Sequence, residues 1–330
     1  MAWALTQVAV GASYRGTAAA VRERAGRPLE KRAGVGSNGK TKLPPATQHG
    51  QLVSDWVDVF APVIWSAHAP KAWPSAVLLD EDTFKHRLGD GSSALAFYVL
   101  GVMARDDRGR SIVAAVEAVP KLNIAAWDRL LRTLDGQPQW VVTDGGGPVV
   151  KGAAKAWPDA EKWRCEWHLR RNLADNLPAP VQRDPSDPLL GKLQYAQLSE
   201  ENWDAYRSAL RKRAAAEPGF RTAEMSAVRL DGLIRTQAAS RPDPSDGFPV
   251  STGPLEQFFR TLELSLGDRA ARLTNKRRAD ALLKLLAANR NGWVDHDAWT
   301  AILREHLDAR RGHAAEQRKH VDSRSAPSLR

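Results

Sequence analysis

The order of apolar segments between residues 75 and 178 limits the fold of this chain more than any other sequence feature. Three strand-like runs come first, namely SAVLLD, SALAFYVLGVMA and SIVAAVEAV, and the sequence RDDRGR predicts a hairpin turn between the last two. Segments with helical spacing then alternate with two further strands, PQWVVT and EKWRCEWH. Consecutive strands followed by this alternation predict an α/β fold in which helices flank a mixed sheet.

The chain contains 330 residues and carries a formal net charge of +10. A basic chain of this length can bury a large core, and its charge favours a polyanionic partner, most often nucleic acid. No apolar run is long enough to cross a membrane, and the N-terminus lacks the pattern of a secretory signal. A single cysteine cannot build a disulfide framework. We therefore expect a cytoplasmic protein without a membrane partner.

Composition and hydrophobic spacing divide the chain into five segments. Residues 1–48 form a basic region that ends in a Gly- and Pro-rich linker, and we expect their removal to leave a folded core. Residues 49–178 carry the first part of the α/β core, and residues 251–312 carry its C-terminal helices. Residues 179–250 lack strand-like runs and predict an all-helical insertion, whereas the polar residues 313–330 predict a basic, disordered tail.

The N-terminal region has the pattern of two short helices joined by a tight turn. Gly11 is expected to end the first helix, and Ser13 is expected to cap the second. Arg15, Arg22 and Arg24 project away from a short apolar stripe. The pattern fits part of a DNA-binding helix-turn-helix, and it fits equally well a small helical hairpin of another kind.

Three carboxylates occupy positions where functional side chains gather in sheets of this type. Asp80 and Asp144 each follow an apolar strand, and Glu256 begins the helix after the predicted insertion. Three such carboxylates suit two divalent cations, because Mg²⁺ and Mn²⁺ prefer oxygen ligands and can activate a water or a 3′ hydroxyl against a phosphodiester. Structural roles are also open, since Asp after a strand is common in turns and Glu complements the dipole at a helix N-terminus.

Cys165 and His168 have the spacing of a metal-binding pair, but the chain has no second cysteine. A zinc site needs about four ligands, so this pair does not by itself predict one. We expect Cys165 to pack as a small buried side chain. We expect His168 to form hydrogen bonds near the carboxylates or to contact DNA.

The stretch VVTDGGGPVVKGAAKAWPDAEKWRCEWHLRRNL resembles the core of the Mutator-like DDE transposases and their bacterial insertion-sequence relatives. In that family a strand ends in the second catalytic Asp, which is usually followed by Gly. A later strand carries Cys-x-x-His, and the next helix carries Arg-Asn. Here these positions are Asp144, Cys165, His168, Arg171 and Asn172.

The remaining two family motifs match more loosely. STGPLEQFFRTL supplies Thr252 and Glu256 at the family spacing, with Gly253 in place of the usual Asn. The first Asp follows the apolar strand of SAVLLDEDTFK. We assign it to Asp80 because the strand is expected to end there, while Asp82 remains an alternative that would share the same face of a longer strand.

The resemblance implies an RNase H-like mixed sheet with a helical insertion between the second Asp and the Glu. It implies that Asp80, Asp144 and Glu256 are catalytic and bind two Mg²⁺ or Mn²⁺ ions. The implied activity is strand cleavage and strand transfer at the ends of an insertion sequence, by a homodimer or larger assembly at the nucleoid. The implied partners are terminal inverted repeats and target DNA. A catalytically inactive or domesticated DNA-binding relative and an RNase H-like nuclease are the alternatives.

Several polar and basic residues are candidates for DNA contact or for a place near the site. Lys and Arg side chains neutralise phosphates and position a protein on DNA, although a solvated helix face has the same composition. The candidates are His168, Arg170, Arg171, Asn172, Lys276, Arg277 and Arg278.

Overall fold

A computed structural model of the chain describes residues 1–26, 45–87, 90–106, 108–241, 248–266 and 275–325. Within these residues, five strands form one sheet in the order β3-β2-β1-β4-β5. The strands are β1 (Ala76–Arg87), β2 (Ser93–Arg105), β3 (Ser111–Val119), β4 (Trp140–Thr143) and β5 (Glu161–Arg164). β1, β2 and β3 pair antiparallel, whereas β4 pairs parallel with both β1 and β5. The predicted α/β fold with a mixed sheet is confirmed.

Helices cover both faces of the sheet because the strands are apolar on both faces. Leu78 and Val142 point into a first core, and Leu79 and Val141 point into a second core on the opposite face. The first core is closed by α3 (Pro45–His68), α11 (Gly253–Leu266), α12 (Lys276–Arg290) and α13 (His296–Ser325), and the second by α4 (Ile124–Leu131) and α5 (Gly147–Ala156). No helix among the described residues is both long and apolar enough to cross a membrane.

A third core belongs to the insertion, whose described part contains helices and turns but no strand. Its fully buried side chains include Trp203 and Tyr206. Asp231 ties two of its helices together, since it accepts a hydrogen bond from Trp203 Nε1 at 2.8 Å and pairs with Arg207. The helices that build this core are α6 (Glu166–Ala174), α7 (Ala179–Gln182), α8 (Pro188–Tyr195), α9 (Glu200–Ala216) and α10 (Arg221–Ala239). Residues 242–247 of the predicted insertion lie outside the described residues.

The N-terminal residues form the predicted pair of helices. Gly11 follows the first helix with a φ of +99°, and the Ser13 hydroxyl accepts a hydrogen bond at 3.0 Å from the backbone N–H three residues later. Leu5 and Val8 are fully buried in the first core, so the first helix belongs to that core. The two helices are α1 (Ala2–Ala9) and α2 (Tyr14–Arg24). Their contact with DNA stays a prediction, as does the boundary near residue 48, and the linker between residues 27 and 44 lies outside the described residues.

Both edges of the sheet are bonded to side chains from helices. On β3, Asn291 accepts a hydrogen bond from the Val113 N–H at 2.8 Å and donates one to the Val113 carbonyl at 2.9 Å. On β5, Gln237 forms the same pair of bonds with the backbone of Arg164, at 3.2 and 3.0 Å. Each amide therefore takes the place of a neighbouring strand at one position, which satisfies backbone groups that an edge otherwise leaves unpaired.

Two elements extend further than the sequence predicts. β1 continues to Arg87 instead of ending at Asp80, because its antiparallel pairing with the long strand β2 persists after its parallel pairing with β4 has ended at Leu79. α13 continues to Ser325, whereas a disordered tail is expected from residue 313. The last five residues, 326–330, lie outside the described residues.

Candidate active site

Parallel pairing places Asp80 and Asp144 next to each other at one edge of the sheet. Leu79 and Thr143 form the last pair between β1 and β4, and the two aspartates are the next residue of each strand. β5 ends level with β4, because Arg164 pairs with Thr143. Cys165 is therefore the first residue after β5, and it lies in one row with the two aspartates. This row is the carboxyl end of the parallel strands, where functional side chains gather in open sheets.

A glycine on the neighbouring strand lets α11 approach this edge. Gly101 pairs with Asp80, and a Cβ atom at Gly101 would lie 2.8 Å from Leu255 Cδ2 and 2.9 Å from Phe259 Cζ. A larger residue would therefore push α11 away from the sheet. Glu256 is carried by the same turn of α11, so this close packing places the third carboxylate in the same cavity as the two aspartates.

The three predicted carboxylates line one cavity of about 570 Å³. Its wall combines further carboxylates with basic and aromatic side chains. The lining residues are Asp80, Glu81, Asp82, Asp144, Trp167, His168, Arg171, Gly253, Glu256, Gln257, Phe259, Arg260 and Glu263. The sequence prediction of these carboxylates as a cluster is thus matched in geometry, while their roles in catalysis and in metal binding stay predictions.

Burial and mutual repulsion disfavour the charged forms of two carboxyl groups in this cavity. Burial, followed by the charge of Asp144, raises the pKa of Asp80 to about 8 and that of Glu81 to about 7. Glu81 Oε2 is buried, and the Trp127 side chain offsets part of the rise in the pKa of Glu81. Within the described ranges, neither Asp80, Glu81 nor Asp144 forms an ion pair with Lys or Arg. Clustered, desolvated oxygens of this kind match the ligands that a hard divalent cation prefers.

The described residues do not hold these side chains in a closed metal site. No group of three or more His, Cys, Asp or Glu side chains in the described part of the chain is arranged to hold a metal ion. Glu256 is the most open of the three predicted carboxylates, with 41% of its side chain exposed. An open arrangement of oxygen donors that leaves room for water and phosphate is typical of Mg²⁺ sites.

We expect Asp80→Asn to raise the melting temperature of the metal-free protein at pH 8. The pKa of Asp80 lies near 8 in the folded state and near 3.8 when unfolded, so folding favours the protonated form and stability falls as pH rises between these values. The amide removes that loss, which is at least about 1 kcal/mol, the equivalent of one pKa unit. Thermal unfolding in EDTA at pH 4 and pH 8 measures it. An equal effect at both pH values would contradict the prediction, and Asp82→Asn is the control.

The geometry favours Asp80 over Asp82 as the partner of Asp144. Both side chains lie on the same face of β1, as alternation requires once the strand continues, and both line the cavity. Asp80 alone of the two is in the row next to Asp144, and its charge is coupled to that residue. Glu81 is also coupled to Asp144, and sequence analysis did not select it.

The turn after β4 fixes Asp144. The Gly146 N–H donates a hydrogen bond to Asp144 Oδ1 at 2.7 Å, and Arg164 Nε donates one to the Asp144 carbonyl at 3.1 Å. Gly145 has a φ of +90°, and a Cβ atom there would lie 2.3 Å from Arg164 Nε. Glycine is therefore required at position 145, since a left-handed residue with no side chain lets the arginine close over the turn.

A buried hydroxyl connects the Cys-x-x-His turn to α11. Thr252 is fully buried, and its Oγ1 lies 3.3 Å from His168 Nδ1, 3.4 Å from Glu256 Oε1 and 3.6 Å from Cys165 Sγ. One hydroxyl proton cannot serve all of these acceptors at once. The contact nevertheless fixes the start of α11, and with it Glu256, relative to the end of β5.

Cys165 is fully buried, as expected, but it is not an inert apolar group. Burial raises its pKa, yet hydrogen bonds from His168 and Thr252 outweigh burial and lower the pKa to about 6. The hydrogen bond with Cys165 also raises the pKa of His168, although burial opposes it. His168 Nε2 lies 3.8 Å from Glu256 Oε1. The pair is thus a polarised hydrogen-bonded unit beside the carboxylates.

The predicted basic residues separate into two groups. The first group is on α6, where His168 and Arg171 line the cavity. Arg170 does not line it and donates a hydrogen bond to the Gln194 carbonyl at 3.4 Å. Asn172 is half-buried and also lies outside the cavity lining.

The three basic residues at the start of α12 do not line the cavity. Lys276 pairs with Glu117 at 2.7 Å, and Arg278 pairs with Asp58 at 3.0 Å. Arg277 is exposed. Their contact with DNA stays a prediction that the geometry of the cavity does not support.

Six residues of the cavity wall were not predicted from the sequence: Glu81, Trp167, Gln257, Phe259, Arg260 and Glu263. A signal was present for two of them. Trp167 directly precedes His168. Arg260 follows Glu256 by four residues, so Arg260 and Glu256 share one face of α11.

No family model matches this chain. Over 107 residues, which are 31% of the chain, it is 32% identical to the transposase for insertion sequence element IS905 of Lactococcus lactis subsp. lactis (strain IL1403). The matched segment covers 27% of that relative, so this chain spans about a quarter of the length of the curated protein that it matches. The chain is therefore similar, over a part of its length, to an insertion-sequence transposase.

Proposed function

We propose that this chain is a DDE transposase that cleaves and joins DNA at the ends of an insertion sequence. The observation that carries the proposal is the convergence of Asp80, Asp144 and Glu256 on one cavity at the carboxyl end of the parallel strands. The partial similarity to an insertion-sequence transposase supports the same activity. The strand order supports the RNase H-like fold, and the motifs at Asp144, Cys165 and His168 support the Mutator-like group that they resemble.

Asp80, Asp144 and Glu256 would hold two Mg²⁺ or Mn²⁺ ions, which would activate the attacking oxygen and stabilise the leaving oxygen of a phosphodiester. Ions of this kind suit the cavity because its donors are carboxylate oxygens, and because neither Asp80, Glu81 nor Asp144 forms an ion pair with Lys or Arg among the described residues. Their negative charge repels the phosphates of DNA unless a cation lies between them.

The protein supplies orientation. Backbone N–H groups of Glu81 and Gly146 donate hydrogen bonds to Asp80 at 2.9 Å and to Asp144 at 2.7 Å, so both carboxylates are fixed before a substrate binds. Thr252 holds the first turn of α11, which carries Glu256. Preorganised groups of this kind lower the cost of reaching the transition state.

The partners follow from the proposed reaction. A net charge of +10 favours binding to the terminal inverted repeats and to target DNA. Two ends must be brought together for strand transfer, which favours a homodimer or larger assembly. The retention of three carboxylates in one cavity favours an active enzyme over a DNA-binding relative that has lost catalysis.

The test is strand nicking and joining on a labelled duplex that carries the end of the mobile element from which the gene is cloned. We expect nicking at the element end in Mg²⁺ or Mn²⁺, none in EDTA, and joining of the new 3′ hydroxyl to a target plasmid. Nicking without joining would favour the nuclease. DNA binding without either reaction would favour the inactive relative.

A further inference from the structure

Two helices of the cavity each present an arginine one turn beyond a residue of the proposed catalytic centre. On α6, Arg171 follows His168 by three residues, and on α11, Arg260 follows Glu256 by four. Both arginines line the cavity and are exposed to solvent. A rim of positive charge therefore lies next to the carboxylates, at the distance of one helical turn.

An indole ring completes this rim. Trp167 lines the cavity and is only partly exposed, because it packs against the first core. The Trp167 and His168 rings meet in a T-shaped contact, with 4.8 Å between centroids and 87° between planes. The guanidinium of Arg171 lies over the Trp167 ring, 5.1 Å from its centroid. The ring is thus held in place by protein on one side and covered by a cation on another.

The cation over this ring is weakly held. Arg171 forms an ion pair with Asp175 at 3.7 Å, but 59% and 62% of the two side chains are exposed, so solvent screens the pair. Arg260 has no ion pair within the described ranges of the chain. Lys276 and Arg278, in contrast, have closer acidic partners. The two rim arginines are therefore the cations near the cavity that can most readily exchange their present contacts for a phosphate.

We propose that Trp167, Arg171 and Arg260 form a subsite that binds an unpaired nucleotide of the DNA strand beside the carboxylates. The arginines bind backbone phosphates, and Arg171 uncovers the indole when it does so. The indole then stacks on a base, which requires that base to be unpaired, because both faces of a base in duplex DNA are already stacked. This subsite rests on the proposed function for the identity of its ligand as DNA, and it adds that the strand is locally melted at the reacting end.

The test measures binding of the full chain in EDTA, where the proposed cleavage cannot occur. The probes are a labelled duplex in which flanking DNA follows the element-end sequence, and the same duplex with two mismatched, unpaired nucleotides at the element end. We expect the parent to prefer the unpaired end. Trp167→Ala should lose that preference by roughly 5-fold or more, which is the lower limit of stacking on one base, and Trp167→Phe should keep most of it.

Arginine variants separate stacking from charge. Arg171→Gln and Arg260→Gln should each weaken binding of both probes and reduce the slope of log K against log salt by about one. Arg229→Gln is the matched control, since it removes the same charge from an exposed position of α10 outside the cavity and should weaken binding of the two probes less than either rim variant does. Melting temperatures establish that each variant is folded, and the phenylalanine variant provides the comparison if Trp167→Ala is not.

Two results would overturn the subsite: equal affinity of the parent for the two probes, or an unchanged preference in Trp167→Ala. Both are independent of the proposed function. A parent that prefers the unpaired end but never nicks DNA in Mg²⁺ would refute the transposase and retain the subsite. A parent that nicks the element end without any preference for unpaired nucleotides would do the opposite.

Discussion

Asp80→Asn, Asp144→Asn and Glu256→Gln are each expected to abolish metal-dependent cleavage of element-end DNA. Each substitution keeps the shape of the side chain and removes its charge, and an amide is a poor ligand for a hard cation. Loss of residues that merely orient metal ligands commonly costs 10–100-fold, so loss of a ligand should lower the rate by at least about 100-fold. Nicking of a labelled duplex under single-turnover conditions measures the effect.

Asp82→Asn is the internal control, because Asp82 shares the face of β1 with Asp80 but does not lie in the row next to Asp144. It should retain activity. DNA affinity should persist or rise in the three inactive variants, since phosphate contacts dominate binding and a source of repulsion has been removed. If Asp144→Asn cleaves as fast as the parent, the assignment of these carboxylates fails.

Deletion of residues 1–24 is expected to destabilise the whole protein. Leu5 and Val8 of α1 are fully buried in the first core, and α1 contacts both α12 and α13. Truncating one buried leucine costs about 2–5 kcal/mol, and a folded protein has only about 5–15 kcal/mol in total, so losing the helix removes a large share of the stability. Thermal unfolding of the truncated and full chains measures it.

Two point variants test whether the loss of stability comes from the buried side chains of α1. Leu5→Ala should lower the melting temperature by less than the deletion does, and Arg15→Ala, on the exposed side of α2, should change it little. A truncated chain that melts at the temperature of the full chain would support instead the separable N-terminal region that composition predicts.

That contrast shows where sequence reasoning works and where it stops. The basic, Gly-rich character of residues 1–48 predicts a separable region, yet Leu5 and Val8 of α1 lie against helices almost 300 residues away in the chain. Composition is local, whereas burial depends on partners distant in sequence. The caps at Gly11 and Ser13 were predictable because capping is decided within a few residues.

The candidate site follows the same division. Apolar strands followed by Asp80 and Asp144 were recognisable from the sequence, and so was Glu256. The end of β1 was not recognisable, because β1 continues to pair with β2 after its parallel pairing with β4 has ended. Gly101 gave no signal either, since its importance comes from the close approach of α11.

The basic residues illustrate a further limit. Lys276 and Arg278 look like phosphate contacts in the sequence, but each has an acidic partner on another element. Arg260 gave no such impression, although it lies at the rim of the cavity. A basic side chain is available to a phosphate only if it is not already held in an ion pair. The sequence does not show which pairs form, because the partners lie on different elements of the fold.

The side-chain amides on the two edge strands restrict how this protein can assemble. Asn291 occupies the backbone groups of Val113 on one edge, and Gln237 occupies those of Arg164 on the other. A second copy cannot extend the sheet at these positions without displacing a helix-borne amide. In the proposed assembly on two DNA ends, pairing of sheets at Val113 and Arg164 is therefore blocked, and copies of the chain would meet through helices or loops at these positions.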